Sequence, residues 1–454
     1  MLKQIEDYVR SLGLDAYLVG GAVRDELLGR DSKDADFVVP GVDTEGLRRL
    51  LEAHGRVEDL VVADRLVGVR LRPRDREVRA LVPNGIEFAP PRREVSTGPG
   101  RHDFAIEADA SLPVEKDMER RDFTVNAIAR RLATGDYVDP VGGREDLERG
   151  VLRTVSPQSF AEDPLRLVRG LRLVSQLGLR PDESTLRQMQ EEAAAIRLVS
   201  PERIGGGLAA DGMGELSKLL LGREPARALR LARDTGVLAH LLPELDAVVG
   251  DDQGSRRQHL TLDEHVIETV QAAAAAGASL EVRLAALLHD LGKPEARRTG
   301  ADHAAVGADV ARRVLRRLRY PARLQAYVGR IVHEHAFTEP TDPEPVDARR
   351  FLARHGEQLA FDLLDHKRAD LAAKRPDAAT LAGLARLQEL VEAERHQPHA
   401  LAQLAVDGAD LIAIGFREGP ELGRVLQALL REVVEEPGRN TREWLLERAA
   451  QELS

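Results

Sequence analysis

AYLVGGAVRDELLGR (residues 16–30), followed closely by DADFVV (residues 34–39), decides the fold of the first part of this chain. The apolar run Ala16 to Val19 predicts a strand, Gly20-Gly21 a tight turn, and the next residues a short helix for which Gly29 is a suitable C-cap. A strand that turns into a helix N-terminus presents backbone N–H groups to an anion, and Arg24, one turn in, is placed to reach a phosphate. In DADFVV the two-residue period of a strand puts Asp34 and Asp36 on one face. Two adjacent carboxylates repel unless a cation lies between them, and a phosphate turn beside such a pair points to metal-assisted phosphoryl transfer. A Gly-Gly turn alone reads as a plain strand-to-helix connection, and a lone D-x-D as a solvated strand end. Their adjacency carries the argument.

Working outward, Leu66 to Leu71 and Ile86 to Phe88 add strand patterns, so residues 1 to about 140 predict an α/β or α+β head. Glu87, on the strand IEF, is a candidate third carboxylate, although any edge-strand glutamate looks the same. Pro90 to Pro113 carries four prolines with Gly98 and Gly100 among them, and predicts a long loop of functional kind. After Glu162 the apolar spacing is helical, so the rest of the chain should be α-helical. In EDPLRLVRGLRL (162–173), Asp163, Arg166, Arg169 and Arg172 share one side of a helix, and Leu167, Val168, Leu171 and Val174 the other. The polar side is expected to face a cleft. The polar stretch VGDDQGSRRQ (248–257) breaks the helical pattern and marks a boundary.

At 454 residues the chain exceeds what one core serves at roughly 150 residues per domain. The expected division is a head at 1–150, a helical region at 151–247, which the resemblance described below makes a nucleotide-selecting and neck domain, a helical domain at 258–375 and a helical tail at 398–454. There is no cysteine, which excludes disulfides and thiolate metal sites and leaves carboxylate, histidine and water as ligands. The net charge of −11 excludes a surface coated with phosphate-binding residues but permits a local basic groove. With 3% aromatic residues there are few stacking platforms, so any bound RNA is held by shape and phosphate contacts. No apolar run approaches the ~18 residues needed to cross a bilayer and the start lacks a signal pattern; a soluble, cytoplasmic protein without a membrane partner is expected.

LVGGAVRD (18–25), DADF (34–37), RRDFTVNAIA (120–129), DPVGGREDL (139–147) and EDPLRLVRGLRL (162–173), in this order, resemble the nucleotidyltransferase family that contains bacterial CCA-adding enzymes and poly(A) polymerases (class II). The resemblance implies an α+β fold, with a small mixed-sheet nucleotidyltransferase head followed by all-α neck, HD and tail domains. It implies that Gly20, Gly21 and Arg24 hold the triphosphate, that Asp34 and Asp36 hold Mg²⁺, and that Arg121 contacts the nucleotide. Asp163 and Arg166 are then expected to select C or A at the base edge, with Arg169 and Arg172 on the same wall. SPERIGGG, ELSKLLLG and GVLAHLLPEL, between about 200 and 245, resemble the family's neck helices, and GGGLAADGMG (205–214) departs from the shorter neck.

LDEHVIETV, RLAALLHDLGKP, DHAAVGA and HKRADLAAK, between 262 and 374, resemble the HD phosphohydrolase superfamily, with His265, His289, Asp290 and Asp370 at the ligand positions. Nitrogen and oxygen ligands of this kind suit a transition cation such as Mn, Ni or Co. The bland alternative is a structural HD fold with an idle site. His303, His333 and His335 are possible assistants, each of which by itself reads as a solvated or satisfied histidine. VDGADLIAIGFREGPELGRVLQALLREVVEEPGRNTREWLLERA (406–449) resembles the tail that grips tRNA in many bacterial CCA-adding enzymes. The implied activity is addition of C and A, from CTP and ATP, to the tRNA 3′ end. The alternatives are a poly(A) polymerase, a CC- or A-adding specialist, or an HD phosphohydrolase whose head only binds RNA. The Asp34/Asp36 pair opposes the last, the tail opposes poly(A) synthesis, and the retained 90–113 segment favours a full CCA enzyme.

Overall fold

The computed structural model describes residues 2–31, 35–62, 65–96, 104–206, 213–253, 259–338 and 340–453. Asp34 and the glycine-rich residues 207–212 lie outside the described residues. The chain forms two compact units, Met1–Pro243 and Glu244–Ser454.

The first unit is built on strands β1 (Tyr17–Val19), β2 (Asp36–Val38), β3 (Gly55–Val62), β4 (Arg65–Pro73), β5 (Ile86–Ala89), β6 (Arg92–Ser96), β7 (Phe104–Ala108), β8 (Ala129–Arg131) and β9 (Tyr137–Val138). Seven of them form one sheet in the order β3-β4-β5-β2-β1-β8-β9, in which β2 and β5 run parallel and the other pairs antiparallel. The expected mixed α+β head is therefore present, and β3, β8 and β9 extend it beyond the four strands that the local patterns marked. Alternation explains the layering: Phe37 and Phe88, side by side on β2 and β5, stack with ring centroids 5.5 Å apart under the sheet. Ile5 and Val9 of the helix Leu2–Ser11, and Leu47 and Leu51 of the helix Thr44–Glu52, complete that core. Asp43 caps the second helix by accepting from Gly46 N at 2.7 Å. The helix Gly21–Leu27 ends as expected at Gly29, whose φ of +65° allows Gly29 N to bond Glu26 O at 2.9 Å and Arg30 N to bond Asp25 O at 2.8 Å.

Two readings of the sequence are corrected. The 90–113 segment is in large part a β-hairpin of β6 and β7, with Arg92 opposite Ala108 and Ser96 opposite Phe104. Pro90 and Pro91 precede the first strand, where the missing N–H removes no ladder bond, and Pro99 falls in the 97–103 stretch outside the described residues. Asp163 is not on the arginine-bearing helix, which spans Leu165–Leu177. Pro164 forces the residue before it out of the helical region, so Asp163 is extended (φ −141°, ψ 99°) at the end of the short helix Ser159–Glu162.

The second unit is helical throughout its described residues, from Leu262–Ala275 to Arg442–Ala450. It includes Ala378–Glu394, a helix between the expected HD and tail regions, whose Leu384, Leu387 and Val391 pack on Leu352, Ala360 and Leu364. The last helices close a separate cluster around Leu411, Leu429, Val433 and Leu445. Arg349 ties that cluster to the rest of the unit by donating to the terminal carbonyls of the helix Pro420–Glu435, Val434 O at 2.6 Å and Glu435 O at 3.0 Å.

Candidate active site and metal centre

In the first unit a cleft of about 650 Å³ lies between the sheet and the helix Leu165–Leu177, lined by Gly20, Gly21, Arg24, Asp36, Glu87, Arg121, Asp163, Arg166, Arg169 and Arg172. All the described candidates of the head therefore meet in one place. Its volume is within the few hundred to ~1,000 Å³ of small-molecule sites. Asp36 and Glu87 are register partners on the parallel strands β2 and β5, so their side chains leave the same face side by side. Arg70, opposite Glu87 on β4, is its ion-pair partner.

The Gly20-Gly21 turn is a close fit around Arg121. Gly20 has φ +72° and ψ −134°, and a Cβ placed on it would come within 2.6 Å of Arg121 Nη1. Arg121 is held from behind by Asp117 Oδ2 at 3.2 Å and by Asn126 O at 3.4 Å, and its buried Nε has no hydrogen-bond partner. Arg24, also buried, donates to Asn126 Oδ1 at 2.6 Å and to Asp25 Oδ1 at 2.8 Å. Asn126 thus steadies both guanidinium groups. Asp117 is wholly buried; burial by itself raises a carboxyl pKa, but Arg120, Arg121 and Arg92 outweigh it and lower Asp117 to about 2.

The arginine wall is more tightly wired than its sequence suggests. Arg166 Nη1 donates to Ser159 O, Ser159 Oγ and Glu162 Oε2 at 3.2, 3.0 and 2.9 Å, and Nη2 to Arg120 O at 3.1 Å. Arg169 pairs with buried Asp122 at 2.6 Å, which keeps Asp122 well below the ordinary carboxylate range against its burial. Arg172 pairs with Glu215 at 2.7 Å. Asp163 accepts from Arg203 Nη2 at 2.9 Å and Nη1 at 3.3 Å, and from Leu165 N at 3.2 Å. Arg203 was not singled out from sequence, and no local pattern links it to a carboxylate forty residues away.

In the second unit His265, His289, Asp290 and Asp370 converge, all fully or almost fully buried. His265 Nε2 lies 3.3 Å from His289 Nε2, 3.4 Å from Asp290 Oδ2 and 3.1 Å from Asp370 Oδ1; His289 Nε2 lies 3.1 and 3.6 Å from the same oxygens. Ligands ~2.1 Å from one ion and 90–110° apart are themselves ~3.0–3.4 Å apart, so this spacing fits a cation. His289 Nδ1 contacts Ala286 O at 2.9 Å; a carbonyl only accepts, so Nδ1 carries the proton and, in the neutral ring, Nε2 keeps the lone pair that a metal uses. Lys293 and Lys374 each place Nζ 2.6 Å from an oxygen of Asp290 and Asp370 and supply positive charge there. Burial disfavours a charged imidazole, yet Asp290 and Asp370 outweigh it and raise His289 to about 9. His303 and His335 stand next to this cluster, whereas His333 is exposed on another face. His366, also not singled out from sequence, is fully buried beside His289, with ring centroids 5.1 Å apart.

A sheet-borne carboxylate beside a phosphate turn and an arginine wall, followed by a buried His/Asp cluster on helices, defines a nucleotidyltransferase joined to an HD domain. Residues 16–153 match the family described as Poly A polymerase head domain, 178–249 the one described as Probable RNA and SrmB- binding site of polymerase A, and 262–375 the HD domain. The chain is 38% identical over 317 residues to the Multifunctional CCA protein of Neisseria gonorrhoeae, covering 68% of this chain and 70% of that one. It is 33% identical over 433 residues to that of Xanthomonas campestris, covering 90% and 95%. The crystal structure of the Bacillus stearothermophilus CCA-adding enzyme in complex with CTP is similar at a TM-score of 0.69 and 26% identity, covering 99% of this chain and 97% of that one. The chain belongs to the family of the multifunctional CCA proteins, bacterial CCA-adding tRNA nucleotidyltransferases that carry an HD domain.

Proposed function

We propose that this enzyme adds C and A, from CTP and ATP, to the 3′ end of tRNA in the cytoplasm. The observation that carries this reading is the single cleft in which Asp36 and Glu87, paired in register, face the Gly20-Gly21 turn on one side and Asp163 with Arg169 on the other. Asp36, with Asp34 two residues before it, would hold Mg²⁺, with Glu87 as a third carboxylate. Bound there, the ion would lower the cost of activating the primer hydroxyl and of releasing pyrophosphate. Arg24 and Arg121 face the triphosphate, with Gly20 and Gly21 leaving room for it, while Arg172 completes the basic wall. Asp163 has about four lone-pair sites, of which Arg203 and Leu165 N take three, so one remains for the exocyclic amine of C or A. Arg166 would exchange one of its protein acceptors to donate to the ring nitrogen beside that amine.

Within the two units the working division is head 1–150, neck 151–247, HD domain 258–375 and tail 398–454, with the tail holding tRNA. The HD cluster fits a divalent transition metal such as Mn, Ni or Co on His265, His289, Asp290 and Asp370, and its activity would be hydrolysis of phosphate esters such as 2′,3′-cyclic phosphates. No helix among the described residues is long and apolar enough to cross a membrane. Asp36→Ala tests the head: nucleotide addition should vanish while tRNA binding remains, and substantial addition by this variant would refute the assignment.

A further inference from the structure

We propose that the turn joining the helices His303–Arg317 and Ala322–Glu334 of the second unit is a further tRNA-binding surface, an exposed arginine corner that grips backbone phosphates. This rests on the reading of the chain as an enzyme that extends tRNA, and it adds to the tail a contact that the tail sequence does not contain.

The stretch RRVLRRLRYPARLQAYVGR (312–330) holds seven arginines and no aspartate or glutamate, in a chain whose net charge is −11. The helical period sorts it into two faces. Val310, Ala311, Val314 and Leu315 are buried, whereas Arg313, Arg316 and Arg317 are exposed. The turn that follows is pinned. Arg319 N bonds Arg316 O and Tyr320 N bonds Leu315 O, both at 3.0 Å, Tyr320 is buried, and Gln325 Nε2 donates to Tyr320 O at 2.7 Å. Arg316, Arg319 and Arg323 are therefore carried, all exposed, by one fixed corner.

Ordinary structural roles account for part of the run. Arg312 pairs with Asp309 at 2.9 Å, Arg317 with Glu244 at 2.7 Å, and Arg330 donates to His355 O at 3.3 Å. Arg316 and Arg323 differ, because among the described residues their side chains form no ion pair or hydrogen bond. A helix dipole favours a cation at Arg316, in a last turn. It disfavours one at Arg323, which stands in the first turn of Ala322–Glu334 with no acidic residue beside it. Like charges gathered on a rigid corner repel one another, and a polyanion laid across them removes that cost and releases its own counterions. Guanidinium forks match phosphate oxygens, and a chain with 3% aromatic residues has few platforms for stacking bases instead. The polyanion that this enzyme has to hold is its RNA substrate.

The test is tRNA binding by the full-length protein, read by fluorescence anisotropy between about 50 and 200 mM KCl. In Arg316→Gln/Arg323→Gln the Kd should rise roughly 10-fold, and the slope of log Kd against log salt should fall by about 1.4–1.8, two phosphate contacts at about 0.7–0.9 each. Arg316→Lys/Arg323→Lys keeps the charge and should keep the slope. The control Arg149→Gln/Arg386→Gln removes the same charge from ion pairs with Glu145 and Glu389, and should bind as the parent does. Parent-like affinity and slope in the corner variant overturn this surface and leave the tRNA reading standing. An equal loss in the control also overturns it, because the effect then belongs to net charge. A parent that binds no tRNA overturns the tRNA reading itself. Circular dichroism matching the parent shows that each variant is folded.

Discussion

Gly20→Ala isolates the geometry of the phosphate turn. At φ +72° and ψ −134° an L-residue costs about 1–3 kcal/mol, and the added methyl would lie 2.6 Å from Arg121 Nη1, well inside contact distance. The guanidinium has to retreat, straining its bonds to Asp117 Oδ2 and Asn126 O. Loss of one charge-assisted contact to the triphosphate is worth about 1.5–3 kcal/mol, so kcat/KM should fall roughly 10- to 150-fold. The triphosphate is common to both substrates, so CTP and ATP should lose by the same factor. The assay is steady-state incorporation into tRNA with each nucleotide varied in turn, and circular dichroism of the same preparation reports that the helical second unit is folded. Unchanged kcat/KM for both nucleotides, or a loss confined to one of them, would refute the placement of Arg121 at the triphosphate.

Asp163→Ala should reduce CTP and ATP use and narrow the gap to UTP and GTP by about 1–3 kcal/mol per unsatisfied group, whereas Arg24→Ala weakens all four alike; an unchanged CTP to UTP ratio in Asp163→Ala would remove the selecting role. Arg203→Ala should follow Asp163→Ala in direction, read by the same competition assay, because it fixes that carboxylate. His289→Ala should lower metal-dependent hydrolysis of a 2′,3′-cyclic phosphate by roughly 100-fold or more while CCA addition persists, since even outer-shell changes cost 10- to 100-fold. Asp117 provides a pH test. Its folded pKa is depressed from 3.8 to about 2, so its contribution is present above the unfolded value and is lost as pH falls through that window. The stability gap between wild type and Asp117→Asn, measured by urea unfolding, should shrink by about 2 kcal/mol between about pH 4 and pH 2, and a constant gap would contradict the ion-pair account.

The parts legible in sequence are those written in short-range pattern. The strand–Gly-Gly–helix unit, its Gly29 cap and the strand that begins at Asp36 required only local sterics, and the ordered H…HD…D set marked the second cluster. Where partners are distant in sequence, periodicity says nothing. Glu87 was one edge glutamate among many until β5 was found parallel to β2, which turned it toward Asp36. Arg203 reaches Asp163 because the helix Pro201–Ile204 packs on the helix Leu165–Leu177, and the prolines around 90–99 masked the alternation of β6 and β7. His303 and His335 read as ordinary histidines one by one, and only the packing of their helices brings both beside Asp290.

The central claim is tested most directly by product length. A tRNA ending at its discriminator base is offered to the enzyme with CTP alone, ATP alone and both, and products are resolved at single-nucleotide resolution. The account predicts two added residues with CTP, none with ATP, and three ending in A with both. Long adenylate tails with ATP alone, or no addition under any condition, would contradict it.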